Sequence, residues 1–425
     1  MSTKTYMPRL IDTKVSQYLS AFGAICIEGP KWAGKTMTSE LHCKSSFFVG
    51  APAGNFSNRK LALMDPSLIL DGDTPRLIDE WQEVPAIWDA VRYTVDQRRE
   101  KRQFILTGSS TPVRKGIFHS GAGRIVKLRM RPMSLYEAGV SIGKISLHDL
   151  FYKQIESELT GEIGLHLLIE QIIRGGWPGT IGLDFNLAKL VPQQYIEAFI
   201  ADDVNRVDGI TRDLKKIRLL LRSLARNEST SVTNITLQKD IKEQDDEDIG
   251  VETVAEYLNL FQRMFLLDNQ QPFSSNIRSS VRVRQSEKRH FSDPSLACAL
   301  LGATLGSLLA DLETLGFLFE TLCVRDLKVY AEANDAKVFH YQDYNNNEID
   351  AVVEMPDGSW GAFEIKLGAN QIDNAAKNLI RIKASIEQDP KGKPPKILCV
   401  ICGLSNAAYI RPDGVHVVPI TALKN

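Results

Sequence analysis

The sequence predicts an α/β protein: a parallel sheet with a helical lid, then a winged-helix region and a C-terminal α/β domain. Three observations carry this. GPKWAGKT (29–36) has the spacing G-x-x-x-x-G-K-[ST] and directly follows the apolar run AICIE (24–28), the arrangement expected of a P-loop NTPase sheet. Apolar runs of strand length alternate with helix-periodic stretches across residues 1–144, the pattern of a parallel sheet. Strand-length runs then return between 336 and 420, after a long helix-like stretch.

Taken in order, the strand candidates of the first segment are 24–29, LALMD (61–65), RLIDE (76–80), FILTGS (104–109) and the start of 125–138. A turn at Pro132 and a helix start complete the last of these. Residues 86–99 carry Ile87, Val91 and Val95 near helical spacing. Residues 145–226 read as helical, with helices over 165–174, 195–204 and 214–226; GGWPG (175–179) ends the first. In 227–295, a short helix (236–244), an acidic turn (245–250) and a longer helix (251–267) suggest a helix-turn-helix. The segments 267–270, 281–284 and 289–293 would supply its wing. Residues 296–425 offer a helix over 312–329 and strands over 336–342, 348–355, 359–366, 396–402 and 415–420.

Composition bounds the function. Of 425 residues, 51 are Lys or Arg and 52 are Asp or Glu, which excludes a wholly basic nucleic-acid coat and an acidic tail protein. The 43% hydrophobic and 24% charged fractions fit a chain with an ordinary core. Six cysteines are too few for a disulfide scaffold. Cys399 and Cys402 fall in an apolar run with no second C-x-x-C pair, so they read as packing residues. MSTKTYMPRL has no apolar signal core, and Asp311, Glu313 and Glu320 interrupt the apolar stretch 300–322. The expected compartment is the cytoplasm, with no membrane contact.

The chemistry expected of 29–36 is phosphate binding. Gly29 and Gly34 let the backbone fold around a phosphate, with Pro30, Lys31, Trp32 and Ala33 completing the loop. Lys35 would reach the β- and γ-phosphates and Thr36 would ligate Mg²⁺. At the end of the strand in RLIDE, Asp79 would hold Mg²⁺ and Glu80 would activate the attacking water. Thr107, Ser109 or Ser110 would orient that water or sense the γ-phosphate. Arg124 is the candidate for transition-state charge from a neighbouring subunit, with Arg129 and Arg131 as rivals.

A second carboxylate set lies near the C-terminus. Asp350 opens one strand candidate, and Glu364 and Lys366, two apart, face one side of the next. This is the D…E-x-K pattern of restriction-endonuclease-like folds, where carboxylates hold a divalent metal and a lysine orients water. Glu320 on the preceding helix and Gln371 are candidate additions. The basic stretch 275–290 carries Arg278, Arg282, Arg284, Lys288 and Arg289 against Glu287, a charge suited to a DNA backbone. The second helix of the helix-turn-helix instead shows Glu252 and Glu256 to solvent, which favours packing or protein binding over groove reading.

The ordered set GPKWAGKT, LIDEWQEVP, FILTGSS, AGRIVKLRMRPMSLYE, GGWP, YIEAFIADDV and FSDPSLACALLG resembles a bacterial and archaeal family of AAA-type ATPases. Members carry a C-terminal domain of unknown function that looks like a restriction endonuclease. The resemblance implies four segments: an ATPase domain (1–144), a helical region (145–226), a winged helix-turn-helix (227–295) and a restriction-endonuclease-like domain (296–425). It implies ATP binding. The expected activity is Mg²⁺-dependent ATP hydrolysis that moves the C-terminal domains, with action on DNA as one outcome. The alternative is a nucleotide-dependent switch that binds a protein partner or a second copy and carries an inactive nuclease-like domain.

Overall fold

The computed structural model describes residues 6–111, 118–245, 249–276, 285–343 and 347–425. Five parallel strands form the first sheet: β1 (Ala24–Glu28), β2 (Ser45–Phe48), β3 (Arg76–Asp79), β4 (Phe104–Gly108) and β5 (Ile125–Arg129). Their order is β2-β3-β4-β1-β5, which puts the strand before the phosphate loop inside the sheet. Alternation along the pleat sends Ile25 and Ile27 to one face and Ala24 and Cys26 to the other. Helix α1 (Ile11–Ala21) covers the first face through Val15 and Leu19. Helix α4 (Ala86–Arg98) covers the second through Ile87, Trp88 and Val91.

Two expectations fail here. LALMD is not a strand: it lies in helix α3 (Ala53–Met64) and just past it, and Leu63 and Met64 are exposed. The strand beside β3 is Ser45–Phe48, a half-exposed edge whose SSFF is too short and polar to signal itself. Beyond Pro132 the chain makes hydrogen-bonded turns over 135–139 rather than starting a helix.

The middle of the chain is helical: α5 (Leu165–Arg174), α6 (Leu190–Ala198), α7 (Leu214–Arg226), α8 (Asn234–Asp245), α9 (Val251–Arg263) and α10 (Pro294–Leu301). The helix expected over 195–204 is interrupted. A wide π turn, Phe199–Asp203, comes after α6 before helical backbone resumes at Val204. Helix α9 buries Val254, Leu258 and Phe261 and leaves Glu252 and Glu256 exposed. The expected wing differs. Leu267 and Gln270 bridge to Phe291 and Lys288, and Gln271–Pro272 then joins the edge of the C-terminal sheet. Expected wing residues 281–284, with Arg278, Arg282 and Arg284, lie outside the described residues.

The C-terminal part has a 22-residue helix, α11 (Leu312–Ala333), then β6 (Lys337–Gln342), β7 (Glu348–Glu354), β8 (Trp360–Gly368), helix α12 (Ile372–Gln388), β9 (Ile397–Leu404), β10 (Ala407–Ile410) and β11 (His416–Pro419). These strands run β10-β11-β9-β8-β7-β6 in a mixed sheet, with two-residue strands at both edges. Helix α12 packs one face; α11 packs the other, in a core shared with the middle helices. Cys399 and Cys402 are buried in β9 as unpaired thiols. No helix among the described residues is long and apolar enough to cross a membrane.

The GGWP segment sits at a junction of all three parts. Met133 donates its N–H to the Gly176 carbonyl at 2.6 Å, and a Cβ on Gly176 would stand 2.1 Å from the Met133 carbonyl oxygen, so only glycine fits. The Gly176 N–H donates to Asp293 at 2.9 Å. Arg325 of α11 bridges Asp293 (2.8 Å) and Asp326 (2.7 Å), and Asp326 accepts the Leu135 N–H at 2.9 Å. Trp177 is fully buried, donates to Ser295 at 2.9 Å and stacks on Tyr195.

Candidate functional site

The phosphate loop leaves the C-terminal end of β1. Gly29 passes the end of β5 so closely that a Cβ there would lie 2.0 Å from the carbonyl oxygen of Met130, the next residue. Gly34 takes a φ of +101° and opens helix α2 (Lys35–His42), so the helix N-terminus faces the loop. Arg9 donates to the Ala33 carbonyl at 2.7 Å, and Glu137 holds Arg9 at 3.0 Å. Lys31 ion-pairs with Asp203 of the π turn.

Lys35 is 5% exposed. Its ammonium donates to the carbonyls of Gly29 (3.0 Å) and Pro30 (2.8 Å). Burial pushes its pKa down to about 8, against the pull of Glu80 and Asp79. Such an ammonium has good geometry and little countercharge, which an anion in the loop would supply.

At the end of β3, Asp79 accepts from Thr36 at 2.9 Å and from Thr107 at 2.6 Å. Burial raises its pKa, and the two hydroxyls only partly offset that. A threonine hydroxyl and a carboxylate in contact at the mouth of a phosphate loop are hard oxygen donors that fit Mg²⁺. Glu80 adopts left-handed backbone, φ 57°. Its N–H donates to Thr107 at 3.0 Å, and its carboxylate accepts from Ser109 at 2.8 Å and from the Gln82 amide. Strained backbone of this kind costs about 1–3 kcal/mol and collects at functional sites. Thus Gly29–Thr36, Asp79, Glu80, Thr107 and Ser109 come together.

The arginines do not join them. Arg124 precedes β5, and its carbonyl accepts the Ala24 N–H, so it lies at the N-terminal edge of the sheet, opposite the loop. There its guanidinium pairs with Asp96 at 2.7 Å. Arg131 is committed to Asp268 and Glu332, and Arg129 is packed over Phe265 near Asp268. Sequence reasoning missed Arg9, which carries no motif, and Gln82, which sits inside the LIDEWQEVP motif.

The C-terminal carboxylates also converge. Lys366 donates to Asp350 (2.9 Å) and pairs with Glu364 (2.7 Å), and Asn378 of α12 donates to Glu364 at 2.8 Å. Gln371 turns instead to the Gly368 N–H. Lys288, 2% exposed, projects into the cluster: its ammonium is 2.6 Å from Glu320, 2.7 Å from Glu348 and 4.0 Å from Asp350. Burial raises Glu364 to about 7, with Asp350 adding to the rise, and raises Glu320 to about 8. Asp350 moves the other way: Lys366 and Lys288 overcome its burial and hold it below the usual range. Arg289 donates to the Val232 carbonyl and to Asn234. The two described cations of the basic stretch therefore face inward. The described residues hold no group of three or more His, Cys, Asp or Glu placed for a metal.

Residues 21–139 match the family model described as an AAA domain. With the parallel sheet and the loop geometry, this defines residues 21–139 as an AAA-type P-loop, nucleotide-binding ATPase domain. Residues 165–306 and 315–423 match two models, each described as a domain of unknown function (DUF8612 and DUF4143). Uncharacterized proteins of Mycobacterium tuberculosis and Mycobacterium bovis are each 24% identical over 349 residues, spanning 80% of this chain and 70% of theirs. Among solved structures, the Walker-type ATPase of Pyrococcus abyssi aligns with a TM-score of 0.40 and 11% identity, over 68% of this chain and 94% of that one. A Drosophila ORC–DNA structure aligns with a TM-score of 0.16 and 10% identity, over 69% and 85%. Likenesses of that size define neither fold nor function.

Proposed function

We propose that the chain is a Mg²⁺-dependent ATPase whose nucleotide state acts on the middle and C-terminal segments, divided as 1–144, 145–226, 227–295 and 296–425. The observation that carries this is the Thr36–Asp79 contact beside a buried, underpaired Lys35. Gly29–Thr36 would cradle the phosphates, and Thr36 and Asp79 would hold Mg²⁺, which when bound neutralises charge on the β- and γ-oxygens. Glu80 would orient the attacking water and take its proton, with Ser109 and Gln82 fixing the carboxylate. Arg124 would serve only a neighbouring copy. The test is turnover in wild type and Glu80→Gln: kcat falls at least a hundredfold with ATP binding kept. Equal turnover would remove Glu80 from the reaction.

A second reading concerns the C-terminal domain, which we take as restriction-endonuclease-like. One observation favours the inactive, partner-binding form: Lys288 lies where Glu320, Glu348 and Asp350 would otherwise face a metal cation. Catalysis by Asp350, Glu364 and Lys366 predicts metal-dependent nicking of plasmid DNA that Glu364→Ala abolishes. The switch reading predicts no nicking with or without ATP, and a protein partner or second copy retained only with ATP. DNA binding through 278–290 would show as salt-sensitive affinity.

A further inference from the structure

We propose that Arg206 is the arginine that meets the γ-phosphate, supplied in cis by the helical segment; this rests on the ATPase reading and deepens it. Within one chain, the three arginines with sequence claims to this role are placed against it. Arg124 is at the far edge of the sheet, Arg131 is held by Asp268 and Glu332, and Arg129 is packed on Phe265. Arg206 is placed for it. It lies just beyond the π turn Phe199–Asp203, which is anchored by buried Phe199 and Ile200. The same turn carries Asp203, whose carboxylate is 2.5 Å from the ammonium of Lys31 in the phosphate loop. Arg206 itself reaches Glu83, three residues beyond Glu80, at 3.2 and 3.3 Å. The segment therefore touches the loop through Asp203 and the turn that follows β3, Trp81–Glu83, through Arg206.

A π turn inserts one residue into the helical ladder and so rotates the downstream residues about the helix axis by about 100°. Such insertions recur at functional sites. The present partner of Arg206 is easily exchanged. The Arg206 side chain is 71% exposed, and a surface pair of that kind contributes little. A phosphate offers the guanidinium charge-assisted, bidentate hydrogen bonds. Glu83 would not be abandoned, because Arg59 also stands 3.6 Å from it. In the reaction, the water oxygen bonds the γ-phosphorus as the bond to the β–γ bridging oxygen breaks. Arg206 stays protonated throughout and takes part only through its charge.

The experiment is steady-state ATP hydrolysis with Mg²⁺ by wild type, Arg206→Ala, Arg206→Lys and Arg124→Ala, alongside binding of a fluorescent ATP analogue. Arg206→Ala is expected to lower kcat about a hundredfold or more, with affinity for the analogue changed less than about fivefold. Added guanidinium ion should restore part of the rate, and Arg206→Lys should remain impaired. An active wild type with an equally active Arg206→Ala overturns the assignment and leaves the ATPase reading standing. A rate lost in Arg124→Ala but kept in Arg206→Ala overturns it in favour of a neighbouring copy. Lost analogue binding in Arg206→Ala overturns it too, since the residue would then serve binding alone. A wild type that binds ATP without turnover overturns both readings.

Discussion

At the scale of single residues, the proposed phosphate site would trade stability for binding. Lys35 is a buried ammonium whose described hydrogen bonds go to two carbonyls. Its folded pKa, about 8, lies below that of a free lysine. The unfolded chain therefore holds its proton more tightly, and the destabilisation is fully present below about pH 8 and relieved as pH rises toward the free-lysine value. Lys35→Met should then melt at the same or a higher temperature than wild type at pH 7, without nucleotide. ATP should no longer shift its melting, whereas wild type at a hundred times its Kd gains about 2.7 kcal/mol. A lower melting temperature in the variant would show that the ammonium is structural. The loop itself was legible in the sequence because its backbone requires glycine at 29, packed against Met130, and at 34, with its positive φ. Arg9, Asp203 and Arg206 were not, because each acts across a distance in the chain that no local motif encodes.

At the scale of elements, strands buried on both faces announced themselves. Those at or next to an edge did not: Ser45–Phe48 and Ala407–Ile410 are short and partly exposed, so they carry too little apolar signal. The same limit hid the fate of the expected wing, whose pairing with the C-terminal sheet depends on distant strand β6. Lys288, contributed by that segment, meets Glu320 on α11 and Glu348 and Asp350 on β7. Removing it as Lys288→Met leaves buried carboxylates uncompensated and should destabilise by about 3–5 kcal/mol, read by denaturant midpoint. The cluster also sets a pH dependence. Burial raises Glu364 to about 7 and Glu320 to about 8, so the fold binds these protons more tightly than the unfolded chain does. Their contribution is fully present below the ordinary carboxylate value and is lost as pH rises through about 7 to 8. Wild type should therefore lose more melting temperature between pH 5.5 and 8.5 than Glu364→Gln does. An equal loss in both would mean that Glu364 titrates normally.

At the scale of the whole molecule, the segments that match three separate family models meet at one buried charge network. Arg325, 4% exposed, neutralises Asp293 and Asp326, and these carboxylates accept the N–H groups of Gly176 and Leu135. The sequence displays every member of this network, in GGWP, in FSDPS and on α11, yet contact among residues so far apart in the chain leaves no periodic trace. The network gives the GGWP motif a physical reason: the glycine admits Met133, and the tryptophan fills the core beside Ser295 and Tyr195. It also offers a rigid path from the strand end after β5 to helix α11, as a nucleotide-driven movement would require. Arg325→Met keeps much of the side-chain volume but strands two buried carboxylates, so it should cost about 3–5 kcal/mol. The loss should not be uniform. With the bridge gone, calorimetric melting should separate into two transitions, and only the one assigned to the ATPase domain should rise with added ATP. A single transition lowered as a unit would mean that the shared apolar core of the middle helices and C-terminal sheet, rather than the ion pairs, couples the parts.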